Sequence, residues 1–145
     1  MKILHVIDSG GLYGAEIMLL TLCEELRKLG HHCVIASIGS RNVTDKPLES
    51  EARKRGIPVE TFRFRNGPNP FGAWKLLSYA KSNRFDIIHS HGYKGNVLLG
   101  FIPRKVRKIP MLCTVHGLTS TGGFSLLRLY EHADSMSHRL LDAVV

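Results

Sequence analysis

The sequence has 145 residues, of which 43% are hydrophobic and 22% charged, enough for one ordinary domain with a real core and too apolar for a disordered chain. No apolar run reaches the roughly 18 residues that a membrane-spanning helix needs. Met1-Lys2-Ile3 enters a strand pattern directly, without a secretory leader, so a cytoplasmic protein is expected. The formal net charge of +8 favours a phosphate-bearing or anionic-surface partner without identifying one.

Lys2-Ile3-Leu4-His5-Val6-Ile7 reads as a buried strand, and it runs into the glycine-rich loop Asp8-Ser9-Gly10-Gly11-Leu12-Tyr13-Gly14. A helix follows over 14–30, where Ala15, Met18, Leu19, Leu22, Leu26 and Leu29 recur at three- and four-residue spacing and Gly30 closes the last turn. His32 to Ile38 is a second strand and 40–46 a polar loop. Pro47 to Arg55 is a short helix with proline at its tolerated first turn, and Ile57 to Phe64 a third strand. Asn66-Gly67-Pro68-Asn69-Pro70 is a loop, and Phe71 to Ser82 a helix offering Trp74, Leu77 and Tyr79 for packing. A fourth strand over Phe85 to Ser90, a helix over Tyr93 to Ile102 and a fifth strand over Pro110 to His116 come next. Residues 117–123 form a glycine, serine and threonine loop before a long helix over Phe124 to Leu141. Asp142-Ala143-Val144-Val145 begins a further strand and stops, so a continuation into a longer protein is expected.

Strands alternating with helices imply right-handed crossovers and a parallel sheet. The expected architecture is a Rossmann-like, doubly wound, three-layer α/β/α fold with strand order 3-2-1-4-5-6. In that order strands one, four and five are neighbours. Their ends would bring Gly10, Gly11 and Tyr13 together with His89, Ser90, His91, Gly92 and Tyr93, and with His116, Gly117 and Thr119, in the crevice where such sheets bind ligands. A glycine loop opening a helix N-terminus suits an anion there.

Several chemistries fail on their own motifs. Ser9 stands where a dinucleotide fingerprint has its first glycine, and the second strand ends Ala36-Ser37-Ile38-Gly39 without a ribose-binding carboxylate. No Walker lysine follows a glycine loop, and no G-x-S-x-G elbow exists. Cys23, Cys33 and Cys113 lack metal-like spacing and read as reduced, buried thiols. His89 and His91 alternate on one face, which invites a metal, but the sequence places no third ligand; His5 reads as a core residue. Basic residues cluster at Arg53-Lys54-Arg55, at Arg63 with Arg65, and at Arg104-Lys105 with Arg107-Lys108. They read as solvated surface or as contacts to an anionic membrane, and no interleaved aromatics point to nucleic acid. Glu16 suits capping of the first helix or a hydrogen bond to a bound hydroxyl group.

Lys2 to Ile7 with Gly10-Gly11-Leu12-Tyr13-Gly14-Ala15-Glu16, then Asp86-Ile87-Ile88-His89-Ser90-His91-Gly92, then Thr114-Val115-His116-Gly117, together resemble the N-terminal domain of family 4 glycosyltransferases, retaining enzymes of the GT-B fold. The resemblance implies an acceptor-side domain over 1–145, with the donor-binding domain and its Glu-x7-Glu motif lying outside these residues. It implies a nucleotide-sugar donor, a glycan or lipid-linked acceptor, and no divalent metal or other cofactor. By position it assigns Gly10 and Gly11 to the donor diphosphate and sugar. Tyr13 and Glu16 go to the acceptor or the interdomain cleft, with His91, Gly92, Gly117 and Thr119 also on the acceptor side. His116 falls beside the reacting sugar, as the residue that orients it and stabilises the departing phosphate. Relatives working on lipid-linked acceptors would dock at the inner membrane face through basic surfaces. A nucleotide-sugar epimerase of the same architecture and a non-catalytic sugar- or nucleotide-binding domain stay open, with a nicotinamide-dependent oxidoreductase more remote.

Overall fold

The computed structural model describes residues 1–65, 69–114 and 141–145. The expected positions of His116, Gly117 and Thr119, and the expected helix over 124–141, lie outside the described residues. The elements are β1 (Lys2–Ile7), α1 (Gly14–Lys28), β2 (His32–Ser40), α2 (Pro47–Lys54), β3 (Val59–Phe64), α3 (Pro70–Ser82), β4 (Ile87–His91), α4 (Tyr93–Gly100), α5 (Arg104–Arg107), β5 (Met111–Thr114) and β6 (Ala143–Val144). They build a parallel sheet of order β3-β2-β1-β4-β5-β6, as expected from the alternation of strands and helices.

β1 is apolar on both faces because helices cover both faces. Leu4 and Val6 point one way, with Val34, Ala36, Ile88 and Met111 from the neighbouring strands. They pack against Leu76, Leu77 and Ala80 of α3 and Leu99 of α4. Ile3 and Ile7 point the other way, with Cys33 and Ile35, against Leu19, Leu20 and Cys23 of α1 and Leu48 and Ala52 of α2. Helices on both faces of one sheet make the three layers.

Several local expectations shift for identifiable reasons. The buried stripe of α1 is Glu16, Leu19, Leu20 and Cys23, while Met18 and Leu29 face solvent. Spacing at three and four residues was right, but the stripe is rotated by about one position. On α3, Leu77 is buried and Tyr79 packs edge-on to Phe62 at 5.4 Å between ring centroids, whereas Trp74 is exposed. β3 starts at Val59 because Pro58 has no N–H to give the ladder; the Pro58 carbonyl still accepts from Ile35 at 2.9 Å. α4 ends at Gly100, and Pro103 starts a separate short helix, α5. α1 closes with Gly30 at a positive φ of 83° and a bond from the His31 N–H to the Leu26 carbonyl at 3.0 Å. α3 closes through the same six-to-one bond, Phe85 N–H to Ala80 carbonyl at 3.0 Å, but with Arg84 at φ 54° where glycine is usual. No sequence cue marks that turn.

The basic run at 104–108 is only partly a surface feature. Arg107 is wholly buried, donating to the carbonyls of Ile109 at 2.9 Å and Ile102 at 3.1 Å and to Asp142 Oδ2 at 2.9 Å. Asp142 also accepts from the Met111 N–H at 2.8 Å and pairs with Arg104 at 2.5 Å. Arg107 therefore ties α5, β5 and the strand start at Asp142 together. Burial pushes the Asp142 carboxyl up, but the Met111 N–H and the two guanidinium groups outweigh it and hold it below the usual range. Replacing Arg107 with alanine should destabilise the chain by about 3 kcal/mol, since one partner of a buried ion pair is lost. A lowered native value makes the carboxylate's contribution full above about pH 4 and lost as pH falls through that native value. The deficit of Arg107→Ala relative to wild type should thus shrink on acidification, as urea denaturation at several pH values would measure.

Candidate functional site

The ends of β1, β4 and β5 come into line because the strands are parallel and in register. Ile7 pairs with His91, and His91 with Thr114. The segments that leave β1 and β4 lie beside each other at this end, where Lys94 reaches Asp8. After β1, Ser9 is buried and folds the loop on itself: its hydroxyl donates to the Gly11 carbonyl at 2.6 Å and accepts from the Gly11 N–H at 3.3 Å. Gly10 is exposed, and a methyl group there would meet nothing within 4 Å. At Gly11 the same methyl would lie 2.4 Å from the Tyr13 ring, which covers that glycine. The space for a ligand is therefore above Gly10. After β4, Gly92 stands at φ 91° as the residue before α4, a conformation that favours glycine.

Tyr13 precedes α1 with its ring largely exposed, and its N–H donates to Glu16 Oε2 at 3.0 Å. Glu16 is 6% exposed, so this carboxylate serves the helix start, the capping role weighed from its position. His91 is 3% exposed and lies under the crevice, with its Nε2 at 3.1 Å from His5 Nδ1. The structure brings Gly10, Gly11, Tyr13, Glu16, His91 and Gly92 to one end of the sheet.

Sequence reasoning missed the polar frame beside this loop. Asp8 Oδ1 takes the Lys46 ammonium at 2.5 Å, and Oδ2 takes that of Lys94. Lys46 is 7% exposed and also donates to the Ile38 carbonyl at 2.6 Å. Gly39 makes room for it, since a methyl there would sit 2.9 Å from Lys46 Cε. Next to Lys46, Glu49 is wholly buried. It accepts from Ser37 at 2.5 Å and from Arg63 Nη2 at 2.6 and 2.9 Å. Arg63, read from sequence as a surface cation, also holds the Val43 carbonyl at 2.8 Å. These partners are 8 to 86 residues apart, and no local motif announces them.

Cys23, Cys33 and Cys113 are buried thiols outside any disulfide among the described residues, as expected. Hydrogen bonding between Cys33 and Cys23, with burial, pushes the Cys23 thiol up, and the same bond draws Cys33 down. No helix among the described residues is long and apolar enough to cross a membrane.

Comparison with known proteins gives this arrangement a family context. The sequence profile of Glycosyltransferase Family 4 matches residues 13–145. The structure of Anabaena HepE in complex with UDP superposes with a TM-score of 0.76 at 20% identity, covering 99% of this chain and 37% of that one. A putative UDP-N-acetylglucosamine 2-epimerase from Listeria monocytogenes follows at TM-score 0.67 and 12% identity, covering 99% and 38%. The UDP-GlcNAc 2-epimerase of Methanocaldococcus jannaschii gives 0.63 at 14% identity, again covering 99% and 38%. At these identities the likeness is one of fold. The chain spans less than two-fifths of the length of these three proteins. No curated protein matches the sequence significantly.

The frame and the rim should respond differently to mutation. Glu49→Ala strands the Arg63 guanidinium and the Ser37 hydroxyl and should cost about 3–5 kcal/mol. Lys94→Ala removes a half-exposed partner and should cost less than about 1 kcal/mol. Chemical denaturation of the two variants beside wild type measures the contrast.

Proposed function

The chain belongs to glycosyltransferase family 4, and from that membership we propose that it is the acceptor-side half of a retaining glycosyltransferase. That enzyme moves a hexosyl group from a nucleotide-sugar to a glycan or lipid-linked acceptor. The observation carrying the proposal is the family match over 13–145, joined to the open space above Gly10 at the sheet end where doubly wound folds bind ligands. The structural similarity to a protein solved with UDP supports a nucleoside diphosphate donor.

In the reaction, the bond from the anomeric carbon to the donor phosphate breaks, and its electron pair leaves with the phosphate oxygen. The acceptor hydroxyl bonds to the anomeric carbon from the same face, and its proton goes to the departing phosphate. Gly10 lets the diphosphate and sugar approach the backbone closely, and Gly11 does so once the exposed Tyr13 ring swings off it. His116 orients the sugar and stabilises the charge developing on the leaving group. Tyr13, Glu16, His91, Gly92, Gly117 and Thr119 serve the acceptor side. No divalent metal is needed for this transfer. A second domain, holding most of the nucleotide, completes the cleft. The full enzyme works in the cytoplasm on cell-envelope polysaccharide of bacterial type.

Docking at an anionic inner membrane face is part of the proposal, carried by Arg104, Lys105 and Lys108; Arg107 is withdrawn from that surface by its burial. At low salt, wild type should sediment with anionic vesicles, and Lys105→Glu with Lys108→Glu should remove most of that binding. Failure of wild type to sediment would end the membrane reading.

The reaction itself is tested on the protein that carries this domain together with its donor-binding partner domain. A panel of nucleotide-sugars is offered with and without acceptor, and released nucleoside diphosphate and products are followed. Acceptor-dependent release is expected, and His116→Ala should lower kcat by about 10²–10³-fold. Conversion of the donor sugar to its epimer without any acceptor would identify an epimerase instead.

A further inference from the structure

The two histidines that alternate on β4 do have a third partner, and it comes from the next strand. His5 is the register partner of His89, and Ile7 that of His91. Side chains alternate along a strand, so His5, His89 and His91 all project from the sheet face that α1 covers. One ring nitrogen from each lies within 4.8 Å of the others. The ring centroids of His5 stand 5.2 Å from those of His89 and 5.4 Å from those of His91, and the latter two are 4.0 Å apart. We propose that His5, His89 and His91 form a binding site for a divalent transition-metal ion, with zinc as the expected occupant.

Ligand chemistry and two observations carry this. Three imidazoles are an established zinc-binding set, and imidazole also suits copper, iron and nickel. With Zn–N distances of about 2.0 Å, ligand nitrogens in a tetrahedral site stand roughly 3.3 Å apart. His5 Nδ1 and His91 Nε2, hydrogen-bonded to each other, already stand at 3.1 Å, close to that spacing. Thr114 Oγ1 lies 2.8 Å from His89 Nε2 and fixes that ring, as outer-shell groups do around metal ligands.

His5 also lies within reach of Cys23 and Cys33, which offers a competing set of one nitrogen and two sulfurs. Access favours the histidines. Cys23, Cys33, His5 and His91 are all buried and the two thiols already share a hydrogen bond, whereas His89, in the middle of β4, is half-buried. Three protein ligands leave a fourth coordination position for water or an anionic oxygen, the composition of exchangeable sites rather than closed structural ones. This site shares His91 with the acceptor side proposed above, but its test needs no sugar donor.

The chain is stripped with a chelator and titrated with Zn²⁺ in competition with a chromogenic chelator, then separately with Co²⁺. One equivalent should bind tightly near neutral pH and be released below about pH 6, where imidazoles protonate. Bound Co²⁺ should show visible ligand-field bands without a thiolate charge-transfer band. His89→Gln and His91→Gln should each abolish one-equivalent uptake, Thr114→Val should weaken it about 10–100-fold, and Cys23→Ser should leave it intact. Circular dichroism verifies that each variant is folded. Should a histidine variant unfold, the Co²⁺ spectrum of wild type decides alone. Absence of uptake by wild type, uptake indifferent to folded histidine variants, or a thiolate band lost in Cys23→Ser would each overturn the assignment.

Discussion

Everything at the crevice depends on the burial of β1 from both sides. Its six residues send Leu4 and Val6 into one helical layer and Ile3 and Ile7 into the other. A slip of one residue would exchange the two sets, placing His5 where Val6 belongs. That penalty fixes the register with β2 and β4, and the register fixes where the strands end. The loop after β1 is thus delivered beside the turn after β4, and Thr114 is set level with His91. The site is a consequence of core packing before any polar residue contributes.

Polar residues then hold what the core has placed. Asp8 is clamped by Lys46 and Lys94, and Lys46 is itself bound to the end of β2 through the Ile38 carbonyl. Glu49 and Arg63 close the corner between α2, β2 and β3. Burying such charges is costly, and their pairing is what makes the burial tolerable. Their effect is to set the start of the glycine loop on a fixed base, with Ser9 then folding the loop over Gly11. Precision of about half an ångström is what positioning of a reacting sugar demands, and a loop anchored at several points is suited to it.

Much of this was legible in the sequence, and the limits have physical causes. Strand order followed from alternation and handedness, which are local patterns with one global solution. The burial of Cys23 and Cys33 and of His5 followed from their place in apolar elements. Trp74 and Met18 went wrong because helical periodicity gives the spacing of a stripe, while the packing partner chooses its rotation. Arg63 and Arg107 went wrong because charge alone does not reveal a buried carboxylate partner, and Glu49 and Asp142 are brought to them only by the fold. The histidine cluster illustrates the same gap. His89 and His91 were recognisable as a pair, but His5, 84 residues before His89, joins them only through the parallel register. His116, Gly117 and Thr119 lie outside the described residues, so their roles rest on motif position.

The proposed role of the Gly10–Gly11 loop is to receive the nucleotide-sugar diphosphate. The most direct measurement is a crystal structure of the full-length protein with a nucleoside diphosphate bound. The diphosphate, or the sugar attached to it, is expected in contact with the Gly10–Gly11 backbone at the end of β1. A well-ordered nucleotide that makes no contact with this loop would contradict it.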